Sequence, residues 1–367
     1  MRIVYFTHSL VSDWNHGNAH FLRGVLGELI ARGHDAVAWE PADSWSRNNL
    51  RQAAPDAEAG FGKDFPQLKA HAYTSTEDAE AALDGADLVI VHEWNTPELV
   101  AAIGRRRAQG GRFTLLFHDT HHRAVSDPEA MGVYDLGAYD GVLAFGEAVR
   151  AVYEARGWGR RVWSWHEAAD TRIFQPLDRE KTGDAVWIGN WGDDERTAEL
   201  EEFLFGPVER LGLGLTVHGV RYPDEALDRL KRAGADYRGW LPNARAPEVF
   251  AQHRFTVHVP RRFYVEALPG VPTIRPFEAL ACGIPLISAP WQDAEGLFRI
   301  GQDFVMVENG QEAQAAMKRI LSDPGYAGSL AESGRETILA RHTCAHRVDE
   351  LLAVLGEIDG MKEAAAR

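Results

Sequence analysis

Short apolar runs alternate along the chain with longer segments in which apolar residues recur at helical spacing. This alternation predicts parallel β-sheets covered by helices on both faces. The strands predicted in the first half are Ile3–Thr7, Ala36–Glu40, Asp87–His92, Phe113–His118, Val142–Phe145 and Val162–Trp165. Those predicted in the second half are Ala185–Gly189, Leu215–Gly219, Asp236–Gly239, Phe255–Val259, Pro285–Ala289 and Phe304–Val307.

Helical periodicity is clearest over Phe21–Arg32, Thr197–Leu211 and Ala226–Gly234. Residues 41–70 mix Trp, Asn, Pro and Gly without a regular period, and this predicts a long loop beside the edge of the first sheet. The alternation of predicted strands and helices begins again in the second half. A chain of 367 residues is also long for a single core. We therefore expect two domains.

The composition fits an enzyme with packed cores, since 45% of the residues are hydrophobic. Acidic residues outnumber Lys plus Arg by 54 to 39, giving a net charge of −15. That charge argues against a nucleic-acid partner and against adhesion to anionic membranes. No apolar run approaches the roughly 20 residues of a membrane span. The strand pattern begins at Met1 with no signal peptide, and the two cysteines lie far apart, so we expect a cytoplasmic protein.

Residues 273–288 carry the most informative local pattern. Thr273 can cap a helix, and Pro276 falls in the first turn, where backbone N–H groups lack internal partners. Gly283 and Pro285 end the helix before a short buried strand. The predicted buried stripe of this helix consists of Phe277, Leu280 and Ala281.

A phosphate site is predicted at the start of this helix. Residues 269–272, Pro-Gly-Val-Pro, bring bare backbone amides to the helix N-terminus, a favourable place for an anion. Glu278 lies about one turn inside the helix, where a carboxylate can reach sugar hydroxyls attached to that phosphate.

This segment resembles the donor-binding segment of GT-B-fold glycosyltransferases, with a phosphate loop, a helix reading Phe-Glu-Ala-Leu-Ala-Cys-Gly, and then Ile-Pro-Leu-Ile. The chain is most similar to the spore-maturation (CgeB-like) glycosyltransferases, relatives of the large retaining group. Residues 168–176, Ala-Ala-Asp-Thr-Arg-Ile-Phe-Gln-Pro, are similar to the Gly-Val-Asp-x-x-x-Phe-x-Pro signature between their two domains. His342–Leu355 resembles their penultimate helix.

The resemblance implies the α/β GT-B fold, with two facing Rossmann-like domains, parallel sheets and an interdomain cleft. It implies an acceptor-side domain over residues 1–170, a nucleotide-sugar-binding domain over 171–350, and a C-terminal helix over 351–367 that crosses back to the first domain. The implied reaction moves a sugar from a UDP-, GDP- or dTDP-sugar to an unidentified acceptor, with retention, in the cleft. No cofactor beyond this co-substrate is implied.

Polar residues follow the predicted strands of the first half, where open parallel sheets bind ligands. His118 matches the family histidine that points at the donor sugar and stabilises positive charge on its ring through the carbonyl. With Asp119 it is a catalytic candidate; the alternative is a histidine that is hydrogen-bonded at a strand end. The further acceptor-side candidates are His8, His16, Gly17, Asn18, His20, His92, Glu93, His121, His122 and Arg123.

Asp119 and the histidines and arginine near it also fit a metal site, because imidazole is a common ligand. The other glycosyltransferase architecture builds its metal site on an Asp-x-Asp pair, which the sequence lacks. GT-B enzymes as a family do not require a metal. We therefore expect metal-independent chemistry.

The second half carries the candidate residues for the nucleotide. Arg196 matches the basic residue that binds pyrophosphate in the family, and such a charge stabilises a departing nucleoside diphosphate. Either Arg261 or Arg262 is expected to join it, although each arginine could also be a solvated surface side chain. The turn Gly189, Asn190 and Trp191 lets the backbone approach a phosphate. The other donor-site candidates are Gly239, Trp240 and Leu241 in the loop that reads the base, with Val271, Thr273, Ile274 and Arg275 at the helix start; a core role explains Trp240 equally well.

One position departs from the family pattern. Many retaining relatives carry two glutamates as Glu-x7-Glu, and Glu278 fits the second, which holds the nucleotide ribose. The position of the first is Gly270, so the carboxylate that grips the sugar hydroxyls is missing there. Glu266, in the same loop, is the predicted substitute. The departure puts the stereochemical outcome in doubt and leaves the nucleotide site intact.

Two other functions stay open: a nucleotide-binding GT-B protein without turnover, and a nucleotide-sugar epimerase on the same fold. A nicotinamide dehydrogenase is disfavoured. The first strand is followed by Thr7-His8-Ser9-Leu10, where a glycine-rich fingerprint would stand.

Overall fold

The computed structural model describes residues 1–15 and 17–365, which form two compact units. The first unit comprises residues 1–167 and the C-terminal segment from Cys344, and the second comprises residues 168–343. Each unit is built on one β-sheet in which all strand pairs are parallel. This confirms the predicted α/β class with two parallel sheets.

Seven strands form the sheet of the first unit: β1 (Arg2–Phe6), β2 (Asp35–Pro41), β3 (Ala70–Tyr73), β4 (Leu88–His92), β5 (Thr114–Asp119), β6 (Gly141–Ala144) and β7 (Val162–Ser164). Their order is β3-β2-β1-β4-β5-β6-β7. In the register of the two central strands His92 lies opposite His118. The carboxyl ends of β4 and β5 therefore lie side by side.

Six strands form the sheet of the second unit: β8 (Gly183–Ile188), β9 (Leu215–His218), β10 (Asp236–Tyr237), β11 (His253–His258), β12 (Leu286–Ser288) and β13 (Val305–Met306). Their order is β10-β9-β8-β11-β12-β13. Every strand predicted from the sequence overlaps one of these thirteen, and β3 was not predicted.

Helices cover both sheets, as the alternating pattern predicts. Those of the first unit are α1 (Ala19–Ala31), α2 (Trp45–Ala53), α3 (Ala57–Asp64), α4 (Thr76–Ala81), α5 (Pro97–Ala108), α6 (Arg123–Ser126), α7 (Pro128–Gly132) and α8 (Glu147–Arg156). Those of the second are α9 (Thr197–Leu200), α10 (Gly206–Leu211), α11 (Asp224–Arg232), α12 (Ala246–Ala251), α13 (Arg262–Ala267), α14 (Ile274–Ala281), α15 (Gly310–Ser322) and α16 (Pro324–Arg341), followed by α17 (Cys344–Ala365) in the first unit. None of the helices among the described residues is long and apolar enough to span a membrane.

The prediction of a long loop over residues 41–70 is wrong, because α2 and α3 lie there. The Ser44 hydroxyl caps α2 by accepting a hydrogen bond from the Arg47 N–H at 3.3 Å. The Arg47 guanidinium binds Glu58 on α3 at 2.7 Å and Glu40 on β2 at 3.1 Å. α3 buries none of its residues and α2 buries only Ser46 and Leu50, so a cap and ion pairs supplement a small apolar contact that leaves no apolar period in the sequence.

The helix predicted over Thr197–Leu211 is divided in the structure. A π-helical turn, Glu201–Phe205, separates α9 from α10. Pro207 has no N–H and cannot donate to the carbonyl four residues earlier, so the change of register accommodates it. Phe203, Leu204 and Phe205 on this turn still face the core of the second unit.

The C-terminal helix α17 packs on α1 of the first unit. Arg32 at the end of α1 donates to the Ala345 carbonyl at 3.1 Å and pairs with Asp349. Trp165, buried in the first unit, donates its indole N–H to the Arg347 carbonyl at 2.8 Å. The helix expected over 351–367 is the later part of α17, and residues 366 and 367 lie outside the described residues.

Candidate functional site

Helix α14 begins where the phosphate site was predicted, and its stripe of Phe277, Leu280 and Ala281 is buried as predicted. Thr273 occupies the N-cap position, but its side chain makes no capping hydrogen bond. Its hydroxyl instead shares a hydrogen bond with Nε2 of His258 at 3.1 Å, at the end of β11. The carboxyl end of β11 and the start of α14 are thus joined.

His258 is a neutral group in this arrangement. Burial, with additional repulsion from Arg196 and Arg275, lowers the pKa of His258 to about 3. Its Nδ1 shares a hydrogen bond with the Ser288 hydroxyl on β12 at 2.9 Å. The histidine therefore orders two strand ends and the helix start without adding a charge.

Arg196 lies at the centre of the polar residues in the second unit. Its guanidinium donates to the main-chain carbonyls of Trp191 at 3.3 Å and Val259 at 3.1 Å, and to that of Asn190. The group also lies over the Trp187 ring, 5.1 Å from its centroid. Within residues 1–15 and 17–365 it forms no ion pair. The backbone fixes the cation in place but does not neutralise it.

The burial of the Arg196 guanidinium has a large effect on its pKa. Burial lowers the pKa of Arg196 to about 9, and the positive charges of Arg261 and Arg275 add to the effect. A pKa is lowered in this way where positive charge is poorly solvated and poorly compensated. An anion bound here would relieve both penalties. This arrangement makes Arg196 a candidate for binding an anion.

The two arginines after β11 behave differently. Arg261 contributes to the field at Arg196 and pairs with Glu195 at 2.7 Å. Arg262 is exposed and binds Glu199 at 3.2 Å. The structure thus brings Arg261, and not Arg262, together with Arg196.

Glu278 is fully buried on α14. One carboxylate oxygen accepts a hydrogen bond from the Asn243 amide at 2.8 Å, and the other pairs with Arg275 in the first turn of the same helix. Asn243 did not appear among the predicted site residues. The sequence signal for it was its place two residues after Leu241, in the loop already singled out for the base.

The loops after β8, β9 and β10 meet closely. A Cβ atom on Gly219 would lie 2.0 Å from the Gly189 carbonyl oxygen, and the Gly219 N–H donates to the Gly239 carbonyl at 2.8 Å. Asn190 accepts a hydrogen bond through its side chain from the Val220 N–H at 3.0 Å. Trp191 is different: its ring is buried and stacks on Phe205, so it belongs to the core.

Trp240 and Leu241, which follow Gly239, are both half-buried. On the loop before α14, Val271 and Ile274 are buried. Their side chains therefore pack inward, and the backbone is what this segment offers to a ligand.

Gly270 adopts a left-handed conformation with φ of +88°. A Cβ atom there would lie 2.9 Å from both Cγ and Oε1 of Glu295. Glu266, the predicted substitute, is exposed at the end of α13. The glutamate beside Gly270 comes instead from the loop after β12, and sequence spacing gave no signal for it.

In the first unit, His118 is enclosed at the end of β5. It has no exposed surface, and its ring lies 4.8 Å from Trp165 and 5.4 Å from His92, between centroids. Its Nδ1 shares a hydrogen bond with the Tyr5 hydroxyl, and its carbonyl accepts from the Glu93 N–H at 2.9 Å. Burial lowers its pKa to about 3. The structure gives the hydrogen-bonded strand-end histidine that was the alternative interpretation.

Glu93 and Asp119 form a buried carboxyl pair beside it. Burial raises the pKa of Asp119 to about 6, and burial together with Asp119 raises that of Glu93 well above its usual range. Asp119 accepts hydrogen bonds from the Tyr153 hydroxyl at 2.8 Å and the His121 N–H at 3.0 Å. Glu93 accepts from Thr120 and lies 3.6 Å from the Arg123 guanidinium.

The outer part of this edge is formed by aromatic and imidazole rings. Arg123 lies 4.6 Å above the ring of Trp94, which is 43% exposed and was not among the predicted site residues. The His121 ring lies 5.2 Å from that of Trp94 and 3.9 Å from that of His122. These side chains present the accessible surface at the carboxyl end of β4 and β5.

Most of the other acceptor-side candidates lie inside this edge. His92 shares a hydrogen bond with the Thr120 hydroxyl at 3.1 Å, and Asn18 donates to the same hydroxyl. The His8 ring lies 5.6 Å from that of His92, and His20 is buried at the start of α1. Gly17 precedes α1 in an exposed turn, and His16 lies outside the described residues. Among the described residues no group of His, Cys, Asp and Glu is arranged to hold a metal ion.

Comparison with known proteins finds one family model that matches part of the chain. Residues 196–353 match the family described as glycosyl transferase-like, and this segment includes Arg196 and α14. The match covers less than half of the chain. No curated protein matches the chain in sequence.

Solved structures match nearly the whole chain at low identity. Sucrose-phosphate synthase from Thermosynechococcus elongatus is 14% identical, with a TM-score of 0.66 and coverage of 98% of this chain and 100% of that one. HepE of Anabaena, solved in complex with UDP-glucose, is 12% identical, with a TM-score of 0.68 and coverage of 97% and 100%. An alpha-glucosyltransferase, solved with UDP and a 13-mer DNA containing a HMU base, is 12% identical, with a TM-score of 0.71 and coverage of 97% and 99%.

These likenesses define the class of protein. The chain has the GT-B fold, with two Rossmann-like domains. The segment similar to the glycosyl transferase-like family covers most of the second unit and the first residues of α17.

Proposed function

We propose that this protein is a glycosyltransferase that takes its sugar from a nucleotide sugar. The observation that carries the proposal is Arg196, a cation held by three carbonyls and paired with no carboxylate in the described part of the chain. Arg261 and Arg275 lie close enough to lower its pKa further. The α14 N-terminus adds backbone N–H groups to the same site. A diphosphate has the charge and the size to bind these arginines and backbone N–H groups together.

The nucleotide is proposed to lie along the second unit, with its base near Gly239, Trp240 and Leu241. Glu278 is fully buried, so we assign it a positioning role: it holds Arg275 and Asn243 toward the site. Arg196 is proposed to stabilise the departing diphosphate, where negative charge accumulates. The co-substrate is a UDP-, GDP- or dTDP-sugar, and no metal takes part.

We propose that the acceptor binds at the first unit and that transfer takes place, with retention, in a cleft between the two units. The groups offered to an acceptor are the exposed Trp94 and the half-buried His121 and Arg123, and not the enclosed His118. The net charge of −15 argues against a nucleic-acid acceptor. A cytoplasmic location and likeness to the CgeB-like group stay part of the proposal.

A nucleotide-binding protein without turnover is the second candidate. The enclosure of His118 favours it, since the family's sugar-contacting histidine has no exposed surface here. The same nucleotide site would then serve binding alone.

The test is a thermal-shift panel of UDP, GDP, dTDP and ADP with their hexose derivatives, followed by a hydrolysis assay on the best nucleotide sugar. We expect one nucleoside diphosphate to raise the melting temperature by several degrees and its sugar to be slowly hydrolysed. Stabilisation without hydrolysis or transfer supports the second candidate. No stabilisation by any member of the panel contradicts both.

A further inference from the structure

Three tryptophans follow three neighbouring strands at the carboxyl edge of the first sheet, and we call them the tryptophan row. Trp45 follows β2, Trp14 follows β1 and Trp94 follows β4, and β1 lies between the other two strands in the sheet. Trp45 is 56% exposed, Trp94 is 43% exposed and Trp14 is half-buried. Exposed indole surface is unfavourable in water, and a group of such rings on one edge marks a binding surface.

The loop after β1 connects the two ends of the row. The His8 ring at the start of this loop lies 6.1 Å from the Trp94 ring, between centroids. Further along, the Ser12 hydroxyl donates to a carbonyl of α2 at 3.0 Å and accepts from the Trp14 N–H at 3.3 Å. The Trp14 and Trp45 rings then meet edge to face, with 5.1 Å between centroids. The row is therefore one connected surface.

Neighbouring groups hold the Trp94 ring in one orientation. Its backbone N–H donates to Nδ1 of His92 at 3.3 Å. The Arg123 guanidinium lies over the ring, and the His121 ring meets it edge to face at 5.2 Å. A side chain that is ordered before binding loses little conformational entropy when a ligand stacks on it. The exposed part of Trp94 is thus prepared to receive a flat ligand.

The arginines on the segments that contact the row are paired with carboxylates. At distances of 2.7 to 3.6 Å, the pairs are Arg47 with Glu40 and Glu58, Arg51 with Glu58, Arg23 with Asp13, and Arg123 with Glu93. Single-stranded nucleic acid and anionic lipid bind where positive charge is left uncompensated beside the aromatic rings. The net charge of −15 opposes both as well. The row therefore suits an uncharged ligand.

A pyranose ring is an uncharged ligand with an apolar face. Its axial C–H bonds carry partial positive charge, which is attracted to the negative face of an indole, while its hydroxyls remain in water around the rim. The strands β2 and β4 are two strand spacings apart, about 10 Å, which is longer than one pyranose ring. We propose that the tryptophan row binds an uncharged oligosaccharide chain as the acceptor, with one sugar at Trp94 and another at Trp14 and Trp45; this proposal rests on the proposed transferase function.

The experiment measures saccharide affinity by calorimetric titration. The probes are cellotetraose, maltotetraose, mannotetraose and chitotetraose, each with its monosaccharide. The variants are Trp94→Ala, Trp45→Ala and the conservative Trp94→Phe, which keeps an aromatic ring. The control is Leu339→Ala, which removes an apolar side chain that is also 43% exposed but lies in the second unit. The melting temperature of each variant reports folding.

We expect at least one tetrasaccharide to bind more tightly than its monosaccharide. Trp94→Ala and Trp45→Ala should each weaken that tetrasaccharide about fivefold or more, by the measure of a base that loses an aromatic stacking partner. Trp94→Phe should stay within about threefold of the wild type, and Leu339→Ala within about twofold.

Binding of no tetrasaccharide, equal affinity for tetrasaccharide and monosaccharide, or unchanged affinity in both Trp→Ala variants would overturn the proposal. It would also be overturned if these two variants abolished binding to phosphatidylglycerol vesicles, or self-association of the protein, in place of saccharide binding. A wild type that binds a tetrasaccharide but no nucleoside diphosphate would refute the proposed transferase function, which is a separate result.

Discussion

The carboxyl edges of the two parallel sheets differ in the sign of their buried charges and in the groups that surround them. In the second unit Arg196 is held by carbonyl oxygens, with two further arginines near it and no carboxylate paired to it within the described residues. In the first unit Glu93 and Asp119 lie together, accept hydrogen bonds from Thr120 and Tyr153, and have Arg123 close by. The buried carboxyl pair of the first edge has an arginine beside it, whereas the Arg196 guanidinium of the second edge is held by neutral carbonyl groups.

The difference makes the edge of the second unit the candidate for binding an anion. A carboxyl pair can lower its cost of burial by keeping a proton, and the raised pKa values of Glu93 and Asp119 show this tendency. Arginine gives up a proton far less readily, so its lowered pKa marks an electrostatic penalty that remains in the ligand-free protein. A bound anion removes that penalty.

The largest effect is expected from Arg196→Ala. Because the guanidinium is proposed to bind phosphate, the variant should lose about 3 kcal/mol of nucleoside diphosphate affinity, roughly 150-fold, through lost charged hydrogen bonds. Affinity for the uncharged nucleoside should fall by no more than about threefold. Calorimetric titration of both ligands measures the difference.

Arg262→Ala is the matched comparison, since this arginine is exposed and bound to Glu199. We expect its diphosphate affinity to stay within about twofold of the wild type. If Arg196→Ala weakened nucleoside and diphosphate equally, the arginine would not contact phosphate.

A smaller effect is expected from Glu278→Gln. Loss of the carboxylate charge releases Arg275, so the diphosphate affinity should fall about tenfold, while the nucleoside affinity falls by no more than about threefold. The melting temperature should also fall, because a buried ion pair is broken. Equal losses for nucleoside and diphosphate would show instead that Glu278 binds the ribose directly.

The smallest effect concerns pH and the first unit. The folded pKa of Asp119, about 6, lies above its ordinary value of 3.8, so the folded state binds this proton more tightly than the unfolded state. This contribution to stability is fully present below pH 3.8 and is lost as the pH rises through about 6. The free energy of unfolding of Asp119→Asn, relative to that of the wild type, should therefore be higher at pH 8 than at pH 5.

Calorimetric melting of Asp119→Asn and wild type at the two pH values tests this prediction. Asp13→Asn, an acidic residue of the same unit paired with Arg23, is the control and should show no such gain at pH 8. A pH-independent difference between Asp119→Asn and wild type would mean that Asp119 is charged in the folded protein at pH 5.

The strands and the helix α14 could be predicted from the sequence because each leaves a local pattern. Buried parallel strands give apolar runs, and the segment from Pro269 to Ser288 carries its glycine, prolines and helix stripe within one short stretch. Arg196 could be identified because it opens the helix after the first strand of its unit. The helices α2 and α3 could not be predicted, since together they bury only Ser46 and Leu50 and depend in addition on a cap and ion pairs.

Contacts between distant parts of the chain were beyond sequence reasoning. Glu295 lies 25 positions after Gly270, and its approach depends on how the loop after β12 folds over the loop before α14. The enclosure of His118 arises from Tyr5, Phe21 and Trp165, which three separate elements bring to β5. The spacing of these residues along the chain does not predict the approach of Glu295 to Gly270 or the enclosure of His118.

The most direct test of the account is a crystal structure of the protein with the nucleoside diphosphate that the thermal-shift panel selects. We predict diphosphate oxygens within hydrogen-bond distance of Arg196 and of Arg275 or Arg261, at the N-terminus of α14. The base should lie near Gly239 and Trp240. Nucleotide bound at the carboxyl edge of the first unit, or a diphosphate with no arginine of this cluster in contact, would contradict the assignment.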